Sequence, residues 1–114
     1  MSGPVSTTSE FPLSGRSARK ILRDLVEHRS VGIKFSRHAL KRMIERGVTN
    51  RQVFQVINSK SSRIIEGPSQ TASGSWNIVL QGHVSGDNVR VVFDIQRCET
   101  DPGAYVVTVI IPNQ

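Results

Sequence analysis

One short segment of the chain combines the residue types that perform acid–base chemistry on a phosphate. It reads FSRHALKRMIERGVT, residues 35–49, and contains His38, Arg42 and Arg46. Residues four apart lie on one side of an α-helix, so these side chains are predicted to form a stripe. An imidazole can transfer a proton near neutral pH, and guanidinium groups bind phosphate oxygens. The same pattern is also typical of an ordinary solvated helix surface.

The helix that carries this stripe has clear sequence signals at both ends. Ser36 is a good N-cap, and Gly47 is a good C-terminal stop. The apolar residues of the helix are Leu40, Met43 and Ile44, with Ala39 beside them. If these residues are buried, the charged stripe lies roughly on the opposite side of the helix. It is therefore predicted to face solvent, a ligand or an uncovered part of a sheet.

The rest of the sequence predicts an α+β protein. Helical spacing of apolar residues predicts a first helix within residues 14–30, and a capping box at Thr49 and Gln52 begins a third. Alternating apolar residues then predict strands at residues 63–66, 75–84, 89–96 and 104–111, with a GDN turn before the third. The predicted fold has N-terminal helices packed on a four-stranded antiparallel sheet.

Length and composition indicate one small domain. The chain has 114 residues, which suit a single domain at 14–114 after a disordered tail at 1–13. No apolar run is long enough to cross a membrane, and the N-terminus does not resemble a signal peptide. The only cysteine, Cys98, leaves no internal disulfide, which favours a cytoplasmic location. No metal or cofactor is predicted, because the three histidines are widely separated.

The charge distribution favours a polyanionic partner. Residues 16–63 contain thirteen Lys or Arg and three acidic residues, whereas residues 64–114 contain two Arg and five acidic residues. The predicted helical half is therefore strongly basic. The partner is either nucleic acid or an acidic protein, and the charge distribution does not say which.

The segment FSRHALKRMIERGVTNRQVFQVI, followed by RIIE, VRVVFDI and YVVTVI, resembles a bacterial domain family of unknown function. That family has a helix with the pattern His-Ala-x-x-Arg-Met-x-x-Arg-Gly and a final strand with a Thr-Val element. The resemblance covers about residues 35–111. The family is similar to the RelE/ParE-like group within the wider barnase–EndoU–colicin–RelE fold, in which helices pack on a four-stranded antiparallel sheet.

The resemblance implies a toxin-type protein, since many members of the group are metal-independent ribonucleases. Carried over by position, it implies that the catalytic residues are His38, Arg42, Arg46 and Thr108. We add Arg90, Lys41 and His83 as candidates for substrate binding. Alternation along the strands puts Arg90 on the sheet face of Val92 and Asp94. It puts Thr108 on the sheet face of Val106 and Ile110.

Two features of the sequence differ from typical RelE enzymes. The predicted sheet half is acidic, and Ile110 and Ile111 stand where the family often has an aromatic residue. A non-catalytic module that binds nucleic acid or an acidic antitoxin or immunity protein is therefore a second expectation. A domain that serves only as a scaffold is a third.

Overall fold

A computed structural model describes residues 13–28, 32–96 and 103–112. In chain order, a helix and a short strand are followed by two helices and then by four strands. The helices are α1 (Gly15–His28), α2 (Arg37–Arg46) and α3 (Asn50–Asn58). The strands are β1 (Ile33–Phe35), β2 (Arg63–Gln70), β3 (Trp76–Val84), β4 (Asp87–Gln96) and β5 (Gly103–Ile110). The predicted α+β class is confirmed.

The sheet has five strands and mixed direction, so the prediction of four antiparallel strands was only partly right. Strands β2 to β5 form the expected antiparallel meander, and the spatial order is β1-β5-β4-β3-β2. The extra strand, β1, pairs in parallel with β5, with Ile33 opposite Ala104 and Phe35 opposite Val106. This pairing joins segments about seventy residues apart, and a three-residue strand has no local sequence signal of its own.

All three helices pack against one face of the sheet. On β4 this face carries Val89, Val91, Phe93 and Ile95, which form one hydrophobic cluster with the buried residues of the helices. Strand residues that alternate with them, such as Val92, face the other way. We call that second side the open face, because none of the described helices contributes to a core there. Leu13, at the end of the predicted tail, is buried in the main core, and residues 1–12 lie outside the described residues.

A β-bulge in β5 decides which of its side chains reach the open face. Val92 pairs with Thr108, whereas the next residue, Phe93, pairs with Val106. Val107 is therefore the extra residue of the bulge. Val106 is buried in the core, while Val107 is exposed and Thr108 is half-buried. Thr108 thus lies on the open face beside Val92.

The β3–β4 turn begins one residue earlier than the GDN motif predicts. Ser85 and Gly86 both have positive φ angles, which is the conformation of a tight two-residue hairpin turn. Asp87 and Asn88 already belong to β4, where they pair with Val84 and His83. The predicted turn at residues 98–103 and its Cys98 lie almost wholly outside the described residues.

Two of the basic residues have a structural role. Arg19 of α1 donates hydrogen bonds to the Ser59 and Ser62 carbonyl oxygens at 3.3 and 2.8 Å and to the Ser62 hydroxyl at 3.0 Å. Arg23 donates to the Ile57 carbonyl at 3.4 Å. Burial, together with the neighbouring Arg23, lowers the pKa of Arg19. Both guanidinium groups therefore serve to join α1 to the C-terminal end of α3, where exposed carbonyls need donors.

No helix within the described ranges has the length and apolar character needed to cross a membrane.

Candidate functional site

Ser36 fastens the start of α2 to the bulge of β5. Its side-chain oxygen caps the helix by accepting a hydrogen bond from Ala39 N–H at 3.0 Å, as the sequence predicts. The same hydroxyl donates to the Val107 carbonyl at 2.9 Å, and Ser36 N–H donates to the Val106 carbonyl at 3.0 Å. Two hydrogen bonds from Ser36 to β5 therefore fix where α2 begins relative to that strand, and the third caps the helix.

This attachment brings the first turn of α2 next to Thr108. His38 is two residues after Ser36, and Thr108 directly follows Val107. Arg42 lies one helical turn beyond His38 on the same side. We call this region the α2–β5 junction and define it by Ser36, His38, Arg42, Val107 and Thr108. By this definition it contains three of the four predicted catalytic residues.

The buried side of α2 differs from the predicted one. Ala39 and Met43 are 0% and 4% exposed, whereas Leu40 is 45% and Ile44 is 83% exposed. The helix rests mainly on the single strand β5, and the small side chain of Ala39 allows a close approach. A ten-residue helix in this position buries only a narrow stripe, which leaves Leu40 and Ile44 outside it.

The charged stripe consequently flanks the buried side and does not lie opposite to it. With 3.6 residues per turn, His38 and Arg42 fall on one flank of the Ala39–Met43 stripe, and Leu40 falls on the other. Arg42 is half-buried, as expected for a residue at the border, while His38 is exposed. The sequence interpretation was wrong about the angle around the helix axis between the charged stripe and the buried side. It was right that the stripe lies outside the core.

The side chains of the stripe differ in how they are held. Arg42 Nη1 lies 3.2 Å from Glu45 Oε1, and both side chains are just over two-fifths exposed. His38 makes no side-chain hydrogen bond or ion pair within the part of the chain that the structure describes. Arg46 and Lys41 are exposed, and Arg46 continues the stripe at the C-terminal end of α2. Of the two ionisable side chains at the junction, His38 is therefore the one that no described residue engages.

Arg90 lies on the open face but is already engaged. Its Nε and Nη2 groups donate to Gln81 Oε1 at 3.0 and 2.7 Å. Its cross-strand neighbour on β5 is Ile110, so Thr108 is a diagonal neighbour, roughly 7–8 Å away between backbones. Arg90 is near the junction, but its guanidinium is held toward β3.

His83 lies at the far end of the open face. It pairs with Asn88, and its Nδ1 lies 3.2 Å from Asn88 Oδ1. Val79 of β3 lies in the same cross-strand row as Thr108, because both residues pair with Val92. His83 is four residues along β3 from Val79, and β3 is two strands away from β5. Strand geometry then separates its backbone from that of Thr108 by roughly 16 Å. His83 therefore lies well away from Thr108 and from the α2–β5 junction.

Three further open-face residues were absent from the sequence prediction of the site. Asp94 pairs with Asn77 on one side and Tyr105 on the other, and Tyr105 pairs with Lys34 of β1. The strand alternation already put Asp94 on the face of Arg90. The positions of Tyr105 and Lys34 depend on the bulge and on the parallel β1, and neither feature has a local sequence signal. Within the described ranges, no three His, Cys, Asp or Glu residues are arranged to hold a metal.

Removing the Ser36 hydroxyl should loosen the junction. We expect Ser36→Ala to lower the free energy of unfolding by about 1–2 kcal/mol, because the helix cap and a bond to β5 are both lost. Thr49→Ala is the matched control, since Thr49 caps α3 through a capping box. Thermal unfolding should detect both losses, but only Ser36→Ala should shift the NMR signals of the His38 ring. Unchanged His38 signals would mean that Ser36 does not position the junction.

Taken together, the described residues define a class: an α+β protein with helices on one face of a mixed five-stranded sheet and an exposed His–Arg cluster where a helix meets a strand. Residues 35–111 match the family described as a domain of unknown function, DUF4258. The match spans more than half of the chain, so the chain belongs to that family. It includes α2, α3 and β2 to β5, and α1 precedes it. No curated protein and no solved structure matches the chain.

Proposed function

We propose that this protein is a metal-independent endoribonuclease of the RelE/ParE-like toxin type, with its active site at the α2–β5 junction. The observation that carries the proposal is the exposed and unengaged imidazole of His38, attached through Ser36 to the bulge that presents Thr108. Arg42, on the next turn, adds a cation to the same flank. The proposed active site thus consists of a proton-transfer group, a cation and a hydroxyl.

The handedness of the chain supports a shared surface. Consider a strand of L-residues viewed with its chain direction pointing up. A residue whose side chain points toward the viewer then has its backbone carbonyl on the right. Val106 faces the helices and its carbonyl binds Ser36, so α2 starts to the right of β5 seen from the helix side. We infer that α2 continues along β5 with its Ala39–Met43 side toward the core. The flank that carries His38 then points toward the open face.

In the proposed reaction, a ribose 2′-oxygen attacks the adjacent phosphorus and displaces the 5′-oxygen of the next nucleotide. His38 accepts the proton of the attacking hydroxyl or donates one to the leaving oxygen, and water takes up or supplies the other proton. The role of His38 typically accelerates a reaction about 10²–10⁴-fold. Arg42 and Arg46 bind the phosphate and stabilise its developing negative charge. The products are a 2′,3′-cyclic phosphate and a 5′-hydroxyl, and the step requires no metal ion.

The remaining candidates have supporting roles in this proposal. Thr108 and Arg90 orient the substrate from the open face, and Lys41 and the distant His83 contact neighbouring nucleotides. Arg42 has to leave Glu45 to bind phosphate. An exposed ion pair of this kind contributes at most about 1 kcal/mol, so a phosphate competes with it readily. An acidic antitoxin or immunity protein would act by covering the same basic flank.

A second function is favoured by one feature of the junction. His38 is the only imidazole there, since His83 is far away and His28 ends α1. A surface with one proton-transfer group and several cations also suits binding without cleavage. The second candidate is therefore a non-catalytic module for nucleic acid or an acidic protein.

Incubation of the purified protein with a defined single-stranded RNA in EDTA separates the two functions. The ribonuclease proposal requires fragments that end in a 2′,3′-cyclic phosphate, without added metal. Intact RNA under these conditions would overturn it. Binding that weakens steeply with salt, without any fragments, would instead support the non-catalytic module.

A further inference from the structure

Resting on the ribonuclease function proposed above, we propose that Asp94 and Tyr105 form a subsite for a guanine base on the open face, next to the α2–β5 junction. They are directly opposite each other on adjacent strands, so their side chains rise from the sheet side by side. Asn77 flanks Asp94 on β3, and Lys34 flanks Tyr105 on β1. The row thus combines an acceptor, an aromatic ring, an amide and a cation.

The carboxylate of Asp94 is the most informative group in this row. Its Oδ1 is buried, and no donor among the described residues bonds to it. The structure assigns no hydrogen bond or ion pair to the Asp94 side chain anywhere in the described ranges. A buried acceptor without a partner is unfavourable, because it has lost water and gained nothing in return. A ligand that supplies donors would remove that cost once the half-buried carboxylate turns toward the open face, a rotation that the broad χ2 torsion of aspartate permits.

Guanine fits the two acceptor oxygens better than the other bases. Its Watson–Crick edge presents an imino N–H and an amino group side by side, and both can donate to one carboxylate. Adenine and cytosine present an amino group next to an acceptor, and uracil presents a single imino group between two acceptors. A carboxylate, which accepts only, therefore selects the edge of guanine.

Tyr105 supplies the stacking surface. It is 37% exposed on the open face, and unstacked RNA bases commonly stack on such rings. Tyr105 pairs with Asp94, and Thr108 pairs with Val92. Asp94 and Val92 are two residues apart on β4, so the Asp94–Tyr105 row is offset from Thr108 by two residues. This offset is roughly 7 Å, comparable with the span from a nucleotide's phosphate to its base. A phosphate at the junction can therefore carry a base that reaches this row.

The test measures binding and not cleavage, so it does not depend on the proposed chemistry. In a His38→Ala background, fluorescence anisotropy compares uridine-rich RNA oligomers that contain one guanosine, inosine or adenosine. Inosine lacks only the amino group of guanosine. We expect guanosine to bind about 10-fold more tightly than either of the others, as for a two-bond contact to a base edge. Equal affinity for guanosine and inosine would overturn the subsite.

Asp94→Asn should change the affinities in opposite directions. Removal of a negative charge should strengthen binding of the inosine oligomer, whereas loss of the paired acceptors should weaken binding of the guanosine oligomer. Asp87→Asn is the matched control, because Asp87 is an exposed carboxylate on the same strand. It should strengthen binding of both oligomers and leave the preference intact. The proposal fails if the two substitutions act alike.

Tyr105→Leu provides a second, independent variant. It should weaken binding of all three oligomers by a similar factor of about 5–100, because stacking does not depend on the base. An unchanged affinity would remove Tyr105 from the subsite. RNA cleavage without a guanosine preference would refute the subsite alone. A guanosine preference without any cleavage would refute the ribonuclease function and leave the subsite standing.

Discussion

Replacement of His38 by alanine should lower the rate of RNA cleavage by about 10²–10⁴-fold, the usual contribution of a general acid or base. The loss should appear in the rate at saturating RNA, because the imidazole acts in proton transfer and contributes little to ground-state binding. The measurement is a time course of fragment formation in EDTA, with a labelled oligomer at a concentration well above its dissociation constant.

His28→Ala is the matched control for this substitution. His28 is exposed at the C-terminal end of α1, where its Nε2 lies 3.6 Å from Glu27 Oε1. Both substitutions remove one exposed imidazole, so both proteins should unfold at nearly the wild-type temperature. Only His38→Ala should be inactive. Equal activity of the two variants would show that a contaminating nuclease or another group cleaves the RNA.

The sequence predicted the ends of α2 well, because helix caps are local. Ser36 and Gly47 act as the N-cap and the C-terminal stop, and Gly47 has the positive φ angle that such a stop requires. The capping box at Thr49 was also confirmed. Each of these signals depends on residues within four positions of one another. Such contacts can be read from sequence without knowledge of the fold.

The direction in which α2 presents its side chains could not be predicted in this way. Leu40 and Ile44 are apolar, and helical spacing favoured them as core residues. Their exposure depends on where α2 sits against β5, which the two Ser36 bonds to distant carbonyls determine. The hydrophobic pattern of a helix thus predicted that one side is buried, but not which of two adjacent sides.

The surroundings of Thr108 show a similar limit. Strict alternation from Val106 would place Thr108 in the core, and the bulge at Val107 turns it to the open face. The parallel pairing of β1, which brings Lys34 beside Tyr105, is equally non-local. A single extra residue therefore decides whether the open face has a hydroxyl next to the His38 turn.

Both proposals require the open face to be accessible, and this requirement can be tested through stability. Phe93 is fully buried and is the largest such side chain in the described ranges, so Phe93→Ala should lower the free energy of unfolding by about 3–5 kcal/mol. This is a large part of the roughly 5–15 kcal/mol that stabilises a small domain. The melting temperature should fall by about 15–30 °C. Urea denaturation followed by circular dichroism measures the same loss directly.

Val92→Ala is the control that makes this experiment informative about function. Val92 precedes Phe93 on the same strand but faces the open side, where it is half-buried. Val92→Ala should lower the free energy of unfolding by only about 0.5–1 kcal/mol, because the Val92 side chain buries little apolar area. A loss as large as that of Phe93→Ala would mean that the open face packs against something in solution. RNA could not then reach Thr108 or Asp94, whereas a small loss leaves that face accessible to a substrate beside His38.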